Sequence, residues 1–145
     1  MKMNNKGFSL VELAIALGLV AVLVSVVTSG GGMMIKSRVH RETVAVDSIR
    51  VAAQNYLTSK NLTYTGISIA ALKTDGLLPA SFEPVKANSF GGDYVVTENP
   101  ADSTRVDISV LNVPETAGTE LSNNFRNKAE LLAYDKSSKV WKATF

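Results

Sequence analysis

The apolar run from Phe8 to Val27 constrains this chain more than any other feature of its sequence. It contains one ionisable residue, Glu12. As a helix extended to Ser29, it would be about 33 Å long at roughly 1.5 Å per residue. That length matches a bilayer hydrocarbon core of about 30 Å. Since apolar residues would lie on every side of the helix, it must be buried in lipid or among other helices.

A short basic leader precedes the run and carries Lys2 and Lys6. Its charge predicts a cytoplasmic N-terminus, with everything after the span outside the cytoplasm. One interpretation is an ordinary secretory signal peptide cleaved after residues 27–29, and a second is a signal anchor that is never cut. Neither explains Glu12, because a carboxylate among aliphatic side chains is costly and usually has a partner and a function.

Residues 6–12 read KGFSLVE, which resembles the prepilin processing motif of type IV pilins and type II secretion pseudopilins. The resemblance implies that a prepilin peptidase cuts between Gly7 and Phe8 and that Phe8 is then N-methylated. It also implies that Glu12 is the residue that directs assembly. The implied partners are prepilin peptidase, the inner-membrane pilus assembly machinery and further copies of the chain in a homo-oligomeric helical filament.

The apolar surroundings of Glu12 also indicate a role in assembly. In lipid its carboxylate is either protonated or unpaired, whereas in a filament the methylated Phe8 amine of a neighbouring subunit supplies a positive charge. Removing one partner of a buried ion pair leaves the other uncompensated, so the pair depends strongly on register. We therefore expect Glu12 to fix the stagger between subunits.

Past the span, an apolar stripe at helical spacing predicts that the helix resumes and runs to about residue 59. The charged residues from Lys36 to Arg50, including Glu42, are expected mainly off this stripe. The stripe consists of Ile35, Val39, Val46, Ile49, Ala53 and Tyr56.

Gly30, Gly31 and Gly32 lie between the two helical parts. Each glycine in a helix interior costs about 1 kcal/mol relative to alanine, so the three predict a soft point. It would act either as a simple hinge or as a segment that melts and stretches in a filament. The predicted organisation is a leader at 1–7, a membrane and filament-core helix at 8–29, an amphipathic continuation at 30–60 and a head at 61–145.

The head reads as an α+β domain with two hairpins. Strands are predicted at 93–97 and 105–111, and again at 130–134 and 139–144. A short helix is predicted at 67–74, and a second helix opens at Pro114 with Leu121, Phe125 and Ala129 on its core face. The expected fold is a pilin-like α+β fold, in which the long N-terminal helix packs on a four-stranded antiparallel sheet.

The head also resembles type IVb and conjugative pilins at residues 76–79 and 88–94, which read GLLP and NSFGGDY. Those pilins have a disulfide-bounded C-terminal loop. This chain contains no cysteine, so that loop is missing and the fold must depend on core packing alone.

The sequence contains no recognisable catalytic motif, so we expect no enzyme activity and no cofactor. His40 is the only histidine, which makes a transition-metal site improbable. The acidic residues Asp93, Glu98, Asp102 and Asp107 lack the spacing of a calcium loop and are interpreted as solvated turn residues. The net charge of +2 gives no reason to expect nucleic-acid binding.

Lys36, Arg38, His40 and Arg41 form a small basic cluster just outside the span. Such a cluster is typical of a solvated face or of an anchor to lipid head groups, and less often of a binding site.

The sequence thus predicts a structural subunit of a bacterial type IV pilus, serving adhesion, motility, DNA transfer or aggregation. Before assembly it would cross the inner membrane once, and afterwards it would lie in an extracellular pilus or a periplasmic pseudopilus. The alternatives are a pseudopilin of a type II secretion-like system and a secreted binding domain with an ordinary signal peptide.

Overall fold

The computed structural model of the chain describes residues 10–59 and 61–145. In this part the helices are α1 (Leu10–Ser59), α2 (Ile69–Thr74) and α3 (Glu115–Phe125). The strands are β1 (Tyr94–Asn99), β2 (Asp102–Val110), β3 (Leu131–Asp135) and β4 (Val140–Thr144). The chain divides into two compact units, Met1–Met34 and Ile35–Phe145.

The described strands form one antiparallel sheet in the order β1-β2-β4-β3. β1 and β2 pair as a hairpin with Val96 opposite Ile108, and β3 and β4 pair as a second hairpin with Leu132 opposite Ala143. β2 joins the hairpins by pairing with β4. The predicted α+β fold, with a long helix packed on a four-stranded antiparallel sheet, is confirmed for the described residues.

The core of the second unit lies between α1 and one face of this sheet. On β2, the alternating residues Val106, Ile108 and Val110 are all fully buried. The predicted stripe on α1 faces the core: Val39, Val46, Ile49, Ala53 and Tyr56 are buried and Ile35 is partly buried. Burial of the valine and isoleucine side chains among them, each worth about 1.5–3 kcal/mol, provides the main stabilisation in the absence of disulfides.

The two short helices begin at recognisable signals. Ser68 caps α2, because its side-chain oxygen accepts a hydrogen bond from the Ala71 N–H at 3.1 Å. Pro114 precedes α3, as its sequence position predicts.

The prediction that Ala129 belongs to the core face of the second helix is wrong. α3 ends at Phe125, and Ala129 lies beyond it. The chain turns there toward the sheet, where the Glu130 N–H donates to the Thr144 carbonyl at 2.9 Å.

Candidate assembly site

The N-terminal part of α1 presents large apolar side chains on its surface. Val11, Leu13, Ile15, Leu17 and Val20 are 52% to 68% exposed. Successive helical residues are about 100° apart, so these positions lie on several sides of the helix rather than on one stripe. An apolar surface of this extent marks a region that other molecules cover, either lipid or protein.

The predicted assembly residue Glu12 lies in the first turn of α1. Gly7 and Phe8, the predicted cleavage and methylation site, lie outside the described residues. Gly30, Gly31 and Gly32 lie within the bounds of α1. A Cβ atom added at Gly32 would meet nothing within 4 Å, so packing does not require glycine there. The roles of these residues stay predictions.

The chain therefore contains two features: an apolar helix whose surface must be covered by other molecules, and an α+β unit that has its own core. Residues 2–28 match the prokaryotic N-terminal methylation motif, the signal motif of type IV pilins and pseudopilins. No curated protein matches the chain. The motif predicted from residues 6–12 is thus confirmed, and the chain carries the signal of a type IV pilin-like or pseudopilin-like precursor.

This motif indicates a membrane-anchored precursor that prepilin peptidase processes. Among the residues that the structure describes, no helix reaches the length and apolarity of a membrane span.

The prediction that Glu42 lies off the core stripe is wrong, because this polar residue is buried. Its side chain is only 1% exposed. One carboxylate oxygen accepts a hydrogen bond from the Ser89 N–H at 2.6 Å, and the other accepts one from the Tyr94 hydroxyl at 2.5 Å. Burial and the neighbouring Glu42 carboxylate raise the pKa of Tyr94 well above its ordinary value. The hydroxyl therefore remains a donor at physiological pH.

Glu42 thereby fastens the turn at residues 88–92 to α1. Asn88 organises the same turn from inside, because its side-chain oxygen accepts from the N–H groups of Phe90 and Gly92 at 2.9 and 2.8 Å. A Cβ atom at Gly92 would lie 2.1 Å from the Leu111 carbonyl oxygen, so the close approach requires glycine. The sequence does not predict this attachment to the helix.

The interpretation of Asp107 as a solvated turn residue is wrong, because it is a buried residue of β2 with 3% exposure. Its carboxylate accepts hydrogen bonds from the Thr144 hydroxyl, the Asn99 amide and the Lys142 ammonium at 2.7, 3.0 and 3.1 Å. Burial raises the pKa of Asp107, but these three donors outweigh it, and the net pKa lies below its ordinary value.

The remaining acidic residues do not converge on one another. Asp93 is partly buried and accepts a hydrogen bond from the Lys86 N–H at 2.7 Å, and Asp102 forms an ion pair with Arg105 at 3.1 Å. Among the described residues, no group of three or more His, Cys, Asp or Glu side chains could hold a metal ion.

The basic cluster of Lys36, Arg38, His40 and Arg41 is exposed along one and a half turns of α1. None of its four side chains forms an ion pair with another described residue. The cluster therefore has the exposure of a solvated face.

Proposed function

We propose that this chain is a structural subunit of a type IV pilus, without catalytic activity, that assembles through its N-terminal helix after prepilin-peptidase cleavage. The observation that carries the proposal is the match of residues 2–28 to the N-terminal methylation motif. The exposed apolar side chains of the first turns of α1 agree with it, because they need lipid before assembly and neighbouring helices afterwards.

Cleavage between Gly7 and Phe8 creates a new amine at the start of an apolar helix. Glu12 follows four residues later, and an apolar filament core excludes water from both charges. Removing one partner of a buried ion pair typically costs about 3–5 kcal/mol, because the remaining charge is left unpaired. Apolar surfaces alone favour many staggers of neighbouring helices, whereas this pair favours one.

The test is the Glu12→Ala variant, with Val11→Ala as a matched control in the same turn of α1. Both variants are expected to reach the membrane and to be cleaved. Filaments sheared from the cell surface should be lost in Glu12→Ala and retained in Val11→Ala. A normal filament yield from Glu12→Ala would contradict the proposed role of the carboxylate.

The pseudopilin of a secretion machine is the second candidate, since the matched motif is common to both classes. Electron microscopy of the cell surface distinguishes them, because a pilin gives long extracellular filaments. Loss of the gene would then identify the process that depends on the filament: adhesion, motility, DNA transfer, aggregation or secretion.

A further inference from the structure

A preformed apolar groove lies on the surface of the Ile35–Phe145 unit. It has a volume of about 510 Å³ and is formed between one side of α1 and the segment after α2. Its apolar and small residues are Val44, Ser48, Val51 and Ala52 on α1, and Leu77, Leu78 and Pro79 on the opposite wall. We refer to these seven residues as the α1 groove.

The walls of the α1 groove are held in place before anything binds. The N–H groups of Leu77 and Leu78 both donate to the Leu72 carbonyl, at 2.9 and 3.1 Å, which fixes the second wall to α2. Val44 and Val51 nevertheless remain 54% and 47% exposed. The groove is thus an apolar surface that the rest of its own unit leaves uncovered.

The one charged side chain that lines the groove is already neutralised. Asp47 forms ion pairs with Arg50 at 3.2 Å and with Lys128 at 2.6 Å. An occupant of the groove therefore needs no positive charge, and an apolar side chain suits it better than a charged one.

Leu62 is an apolar side chain that protrudes from the same unit, with 95% of its surface exposed. The loop that carries it is anchored close by. Tyr64 is buried, and its N–H donates to the Ser103 carbonyl at 2.7 Å. Because Tyr64 anchors the chain two residues from Leu62, insertion of Leu62 into a pocket would cost less conformational entropy than insertion from an unanchored segment.

We infer that Leu62 of one subunit inserts into the α1 groove of a second copy of this chain. Leu62 cannot be filling the groove of its own chain, since it is almost fully exposed. A protruding apolar side chain and a complementary pocket elsewhere on the same molecule make a heterologous contact, which repeats from copy to copy and produces an open filament. The inference rests on the proposed function, which supplies the neighbouring copies, and it adds a contact between the head units.

The absence of cysteine from the sequence permits a direct test by thiol cross-linking. The full chain carrying both Leu62→Cys and Val51→Cys is assembled under reducing conditions, and the intact filaments are treated with a short bismaleimide. Both positions are exposed in the isolated subunit, so neither substitution should prevent folding. The controls are each single variant and the pair Leu62→Cys with Val85→Cys, since Val85 is 63% exposed and lies outside the groove.

The expected result is a ladder of covalent multimers from the Leu62→Cys/Val51→Cys filaments and monomer from all the controls. Monomer alone from intact filaments of that double variant would overturn the Leu62 contact and leave the proposed function standing. Covalent dimers from the Leu62→Cys single variant would also overturn it, because they would indicate a symmetric contact. If the cysteine-free parent forms no filaments on the cell surface, the proposed pilus function fails and this inference fails with it.

Discussion

The buried carboxylate of Glu42 is expected to stabilise the folded protein, and Glu42→Ala tests this. The substitution leaves the partly buried Ser89 N–H and the buried Tyr94 hydroxyl without an acceptor. An unsatisfied buried donor costs about 1–3 kcal/mol. A pocket of about 370 Å³ adjoins Glu42 and could admit water to the freed groups, which would reduce the loss. We therefore expect a decrease of about 3 kcal/mol in the free energy of unfolding.

Two further variants separate the charge from the hydrogen bonds. Glu42→Gln retains an acceptor for the Ser89 N–H, and its amide can donate to the Tyr94 oxygen, so the expected loss is only about 1 kcal/mol. Tyr94→Phe removes one donor and leaves the carboxylate with a single hydrogen bond. If Glu42 and Tyr94 act as a unit, the stability lost by the Glu42→Gln/Tyr94→Phe double variant should be smaller than the sum of the losses in the two single variants.

The assay is urea unfolding of the full chain in a mild detergent, followed by fluorescence. Trp141 is the only tryptophan in the sequence, and it is fully buried with its ring 5.4 Å from that of Phe125, so its emission reports on the core. Gln54→Ala, at an exposed position of the same helix, is the matched control. A Glu42→Ala protein within about 0.5 kcal/mol of this control would contradict the predicted contribution of the carboxylate, since that is the ordinary range for surface substitutions.

Three other perturbations give expected outcomes in the same assay. The pKa of Asp107 in the folded protein lies below its ordinary value of 3.8, so the stabilisation it provides is present above that pH and is lost as the pH falls below it. The stability of Asp107→Asn should therefore depend less on pH in this range. An unchanged acid transition would contradict the lowered pKa of Asp107. Gly92→Ala should strongly destabilise the protein, because its Cβ would overlap the Leu111 carbonyl oxygen, and a wild-type unfolding midpoint would show that the turn can shift. Gly32→Ala should stabilise α1 by about 1 kcal/mol, measured as a slower loss of helical circular dichroism on heating, and a decrease in helix stability would contradict the predicted soft point.

The N-terminal signal could be predicted from the sequence because its residues are contiguous. Residues 6–12 specify the motif by local order alone, and no tertiary contact is needed to recognise it. The sheet could also be predicted from the sequence, since the alternation of Val106, Ile108 and Val110 predicts one buried face directly.

The attachment of the turn at 88–92 to α1 could not be predicted in the same way. The available signal was the seven-residue gap between Val39 and Val46 in an otherwise regular stripe, since Glu42 occupies the missing core position. Its residue type argued against burial, because a carboxylate is rarely buried without partners. Those partners, Ser89 and Tyr94, lie 47 and 52 residues away, and only the fold brings them to it.

The same limitation applies to Asp107. Its neighbours in the sequence indicate a strand, but the three donors that hold its charge come from β1 and β4. The predicted hairpin places β1 beside β2, but sequence spacing does not reveal that β4 flanks the other side of β2 and brings Lys142 and Thr144 to Asp107.

The mass of the mature N-terminus, measured on protein extracted from native membranes, tests the proposed processing most directly. Cleavage and methylation by prepilin peptidase would give a chain that begins at Phe8 and carries one methyl group on its amine. A chain that begins at Gly30, as cleavage by an ordinary signal peptidase would give, would lack the apolar helix and would contradict the assembly of a filament.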